Sequence, residues 1–79
     1  MKVNSITYKF TTFEDLQRAL EVLKAGKVDY TGYGISYLPT GEVDYYYIAD
    51  YFHFIGNSPK FDIRDTLTAE RIPFEMVSK

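Results

Sequence analysis

The chain has a single histidine, His53, set between Phe52 and Phe54. Imidazole can move protons near neutral pH or bind a metal, but a histidine flanked by rings is ordinarily structural. Three carboxylates, Glu42, Asp44 and Asp50, precede it, and carboxylates with an imidazole are the ligand set of many divalent-metal sites. Spacing argues against such a site. Glu42 and Asp44 leave a strand on the same side, whereas Asp50 and His53 lie far along it, so neither metal nor cofactor is expected. No serine or threonine stands in a recognisable nucleophile context, and without cysteine there is no thiolate chemistry. Gly32-Tyr33-Gly34 interrupts a strand pattern instead of linking a strand to a helix, so it is no phosphate loop. The residues point away from catalysis. The alternative is an enzyme or small-ligand protein with a pocket lined by Tyr and His53.

Most of these residues fall in one stretch, Val28 to Ile55, which reads as a long β-hairpin. Pro39 suits the first central position of a type I turn and Gly41 the left-handed position after it, giving a three-residue loop with a glycine bulge. If Leu38 faces Glu42, then Tyr37 faces Val43, Ile35 faces Tyr45 and Tyr33 faces Tyr47, all on one side. That side is continuously apolar. The other side then carries Tyr30, Gly32, Gly34, Ser36, Glu42, Asp44, Tyr46, Ile48 and Asp50, with rings lying over glycines. The density of rings after Asp50 suggests a bulge near Ala49 and Asp50.

Elements on both sides of the hairpin complete a domain. Val3 to Phe10 alternates as a strand with Ile6, Tyr8 and Phe10 on one side. Thr11 followed by Glu14 reads as a capping box opening a helix, whose stripe is Phe13, Leu16, Ala19, Leu20 and Leu23 and whose left-handed stop is Gly26. Gly56 to Pro59 is a turn, with Ser58-Pro59 fitting a helix start. A second helix runs from Pro59 or Asp62 to Arg71 with Ile63 and Leu67 inward, and Pro73 ends it before a short strand over Phe74 to Val77. The order β-α-β-β-α-β resembles the ferredoxin-like, split βαβ arrangement: an α+β fold in which two helices cover one face of a four-stranded antiparallel sheet. On that assignment Ile6, Tyr8, Phe10, Tyr33, Ile35, Tyr37, Val43, Tyr45 and Tyr47 pack under the helices. The second strand lies at a sheet edge.

Seventy-nine residues form one small domain, and eight Tyr with six Phe supply its buried area. A net charge of −2 argues against direct nucleic-acid binding, which depends on neutralising phosphates. No apolar run is long enough to span a membrane and no signal-peptide core opens the chain, so a cytoplasmic protein without membrane contact is expected. Between Val28 and Pro59 the charges are Asp29, Glu42, Asp44 and Asp50, with no Lys or Arg. The expected function is therefore noncatalytic protein interaction: an inhibitor or decoy that binds the basic, nucleic-acid-binding surface of a larger protein. Tyr30, Glu42, Asp44, Tyr46, Ile48 and Asp50 are the expected contact residues, and a homodimer is expected as well.

Overall fold

Strand β1 (Lys2–Phe10) occupies the middle of the sheet because its alternation puts Ile6, Tyr8 and Phe10 on one side, and all three are buried. The computed structural model describes residues 2–54 and 61–78. Helix α1 (Phe13–Ala25) follows, then the hairpin strands β2 (Gly32–Tyr37) and β3 (Val43–Phe54), helix α2 (Asp62–Ala69) and strand β4 (Glu75–Ser78). The sheet is antiparallel in the order β2-β3-β1-β4, the ferredoxin-like order, with both helices over one face. The core joins Leu16, Ala19 and Leu23 of α1 and Ile63 and Leu67 of α2 to Ile6, Tyr8, Phe10 and Ile48 of the sheet. Among the described residues, no helix is long and apolar enough to cross a membrane.

The helix ends differ from the expected ones. Thr12, not Thr11, caps α1, its hydroxyl accepting from the Asp15 N–H at 3.1 Å. Gly26 keeps an ordinary φ of −86°, and the left-handed residue is Lys27, at φ 55°. The Lys27 N–H donates to the Lys24 carbonyl and the Val28 N–H to that of Leu23, a Schellman closure with lysine, not glycine, at its left-handed position. Arg71, at φ 57°, closes α2 in the same way, with the Ile72 N–H donating to Leu67. Helix α2 starts at Asp62 with Phe61 as an N-cap that makes no side-chain hydrogen bond. The turn expected over Gly56 to Pro59 lies outside the described residues.

The hairpin loop forms as expected: Gly41 has φ 93°, and the Leu38 N–H donates to the Glu42 carbonyl at 2.7 Å. Beyond it the expected register holds for one pair, Tyr37 with Val43, and then shifts by one residue, so that Ser36 faces Tyr45, Ile35 faces Tyr46 and Tyr33 faces Ile48. Asp44 is the additional residue on β3 that absorbs the shift. No irregularity occurs near Ala49 and Asp50, where β3 pairs with β1 without interruption from Phe10 with Tyr46 to Lys2 with Phe54. One extra residue inverts the facing of the rest of the strand. Tyr46 and Ile48 therefore lie under the helices, and Tyr45 and Tyr47 lie on the open face, opposite to the arrangement expected.

Candidate functional site

The bulge separates the six expected contact residues. Ile48 is 0% exposed, pairs with Tyr8 and belongs to the core. Tyr46 packs against that core from the helix side with its ring 5.7 Å from that of Phe13. Tyr30 is half-buried on the same side, its ring edge-on to Tyr33 at 6.0 Å. Asp50 pairs with Ile6 and faces the helix layer, where burial and, secondarily, the Asp62 carboxylate raise its pKa above the ordinary aspartate value. Only Glu42 and Asp44 remain exposed, at the end of the hairpin. The acidic, tyrosine-rich face expected around Tyr46 is not assembled: its ring and its aliphatic anchor turn inward and one of its acids follows them.

The open face has other residues. Alternation along β3 puts Tyr45, Tyr47 and Tyr51 on it, with Ala49 between the last two, beside Thr7 and Lys9 from β1 and Ser36 from β2. The Tyr45 and Tyr47 rings meet edge to face at 6.1 Å, and Lys9 Nζ stands 4.4 Å over the Tyr45 ring, an ammonium held by the ring quadrupole. Tyr47 lies across Gly34, where a Cβ would come within 3.0 Å of its hydroxyl. A side chain at position 34 would push the ring aside by a few tenths of an ångström, so glycine suits this close approach. At the far end of the hairpin the Thr31 hydroxyl accepts from the Tyr51 N–H at 2.9 Å, tying the last of the three tyrosines to the start of β2. Tyr45, Tyr47 and Tyr51, with Thr7, Ala49 and the β2 residues Ile35, Ser36 and Tyr37, line a shallow depression of about 450 Å³.

Lys9 and Glu75 are cross-strand neighbours on this surface, so the described residues put one charge of each sign there. Among the described residues its chemistry consists of phenol rings, aliphatic hydroxyls, the Lys9 ammonium and the Glu75 carboxylate, which suits stacking and hydrogen bonding. Among the described residues no group of three or more His, Cys, Asp or Glu side chains could hold a metal ion. The side chain of His53 lies outside the described residues, so the pocket expected around it gains no geometry. The Tyr8 hydroxyl is buried beneath α2 with no hydrogen-bond partner among the described residues, and burial, followed by the Asp50 charge, raises its pKa.

Sequence reasoning missed Tyr45, Tyr47 and Tyr51 because it counted alternation from the turn. Tyr45-Tyr46-Tyr47 is uninformative about facing, since any of the three could be inside. Ile48 holds the signal: it is the only branched aliphatic side chain between Asp44 and Phe54, and counting from it gives the observed phase. No protein-family model, no curated protein and no solved structure matches this chain.

Proposed function

We propose that the chain is a noncatalytic protein-interaction module that binds another protein on the open face of its sheet, with Tyr45, Tyr47 and Tyr51 as anchors. The observation carrying this reading is the row of three tyrosines on a face that neither helix covers, one ring seated over Gly34 and another under Lys9. Tyrosine suits such a role because it offers a large rigid surface and a hydroxyl at little cost in conformational entropy. Glu42 and Asp44 stand exposed at the end of this row, and they favour a partner that brings Lys or Arg to the rim of the contact. Single-stranded nucleic acid also stacks on rings, but it needs a basic groove along its backbone, and Lys9 is balanced by Glu75.

The test is capture from the native host, comparing the wild type with two folded variants. A Tyr45→Ser, Tyr47→Ser double variant should lose the partner while keeping its melting temperature within a few degrees. A Glu42→Gln, Asp44→Asn variant should retain the partner and lose affinity mainly at low salt, as rim charges do. Undiminished capture by the tyrosine variant would remove the open face from consideration.

A further inference from the structure

The two edges of the sheet are built differently. Strand β4 has four residues, begins with Glu75 and follows Pro73, features that discourage another strand from pairing with it. Strand β2 has six residues, GYGISY, with no charge and no proline, and the bulge beside it lies on β3. Every second residue of an edge strand directs its N–H and C=O away from the sheet. Along β2 these groups lie beside Tyr33 and Tyr37, 57% and 60% exposed, with Ile35 between them at 36%. The opposite side of the strand is Gly32, Gly34 and Ser36, small residues of which Gly34 lies under the Tyr47 ring.

We propose that β2 pairs with β2 of a second copy, antiparallel about a two-fold axis near Ile35, joining two four-stranded sheets into one. The strand is self-complementary in the way an isologous contact requires. A two-fold axis perpendicular to the sheet keeps both helix layers on one side, so only registers that match large rows with large rows are allowed. The register using all three side chains sets Ile35 against its own copy and Tyr33 against Tyr37 of the second copy, the aromatic and branched pairs that stabilise a ladder. A charged foreign strand would find no countercharge within GYGISY, whereas a second copy needs none. Tyr33, Ile35 and Tyr37 offer on the order of 300 Å² per protomer, given the usual area of an aromatic side chain. Backbone pairing and the small side chains bring the two-sided total near the roughly 1,000 Å² at which specific interfaces begin, the small end of the size range.

The contact shares Ile35 and Tyr37 with the rim of the open-face depression but none of Tyr45, Tyr47 and Tyr51, so variants at those tyrosines and at the β4 edge keep the two apart. Sedimentation velocity from low to high micromolar concentration should show the mass rising from 9.2 kDa toward twice that value. Ile35→Lys should stay monomeric throughout, whereas Met76→Lys on the β4 edge and Tyr47→Ser on the open face should dimerise as the wild type does. Because the chain has no cysteine, single substitutions also report the register. Under mild oxidation Ile35→Cys should form a disulfide-linked dimer and Thr40→Cys, at the hairpin tip, should not. A wild type that is monomeric at every concentration overturns the proposal, as does a dimer that survives Ile35→Lys or equal cross-linking at positions 35 and 40.

Discussion

Two kinds of residue sit where their chemistry costs stability. Lys27 and Arg71 adopt left-handed backbone at the helix ends, a conformation that crowds the Cβ of any L-residue. Lys27→Gly and Arg71→Gly should each stabilise the fold by about 0.5–1 kcal/mol, the relief of that crowding less the extra freedom of glycine in the unfolded chain, readable in urea melts. Asp50 is the second kind. Its folded pKa is raised, first by burial and then by Asp62, so the native state holds its proton more tightly than the unfolded chain does. The burden is therefore present above the folded pKa and disappears as pH falls into the ordinary aspartate range. Asp50→Asn should raise the melting temperature at about pH 7, and the gain should shrink toward zero by about pH 4. A gain that grows on acidification would mean the carboxylate is stabilised by something not recognised in its surroundings.

At the scale of elements the decisive feature is one residue of β3. Asp44 lets the glycine turn keep its own pairing while Tyr46 and Ile48 meet Tyr8, Phe10 and the helices. Deleting Asp44 should leave every later β3 residue facing as it does now, so the protein should still give a dispersed amide spectrum. Deleting Ala49 instead changes the facing of Ile48 and the residues before it relative to Asp50 and those after it, and that chain should not fold. Equal tolerance of both deletions would show that the β3 register is set elsewhere.

For the whole molecule, element lengths explain the exposed rings. Strand β3 has twelve residues and extends about 40 Å, whereas the thirteen residues of α1 extend about 20 Å. The helices therefore cover part of the sheet and the hairpin end projects beyond them, consistent with extents of 41 × 29 × 16 Å. Tyr37, Leu38 and Val43 are exposed for this reason, whereas Tyr33, opposite the buried Ile48, is exposed because β2 is the sheet edge. The covered part still contains one core, reached from every strand through β1 or β3, so unfolding should be a single transition. Circular dichroism and tyrosine fluorescence, undisturbed because there is no Trp, should give superimposable urea curves. Loss of the tyrosine signal before the sheet signal would show that the hairpin end opens by itself.

Local patterns were sufficient for the element order, the ferredoxin-like arrangement, the loop at Pro39 to Gly41 and the inward faces of β1 and, apart from exposed Phe13, of both helices, because turn geometry and periodicity act over a few residues. The facing of β3 was not decided locally. A turn and a strand pattern each specify a phase, and where the two disagree by one residue only packing selects between them. Burial of Ile48 against Tyr8 and the helices prevails here, and the chain accommodates it at exposed Asp44. The rings that were expected inside therefore stand on the open face, and the candidate site moves from Tyr46 to Tyr45, Tyr47 and Tyr51. Nothing within the run Tyr45-Tyr46-Tyr47 distinguishes these faces. The distinction arises from the long-range pairing of β3 with β1, since a strand of tyrosines can satisfy either side of a sheet and only its neighbours determine which side is dry.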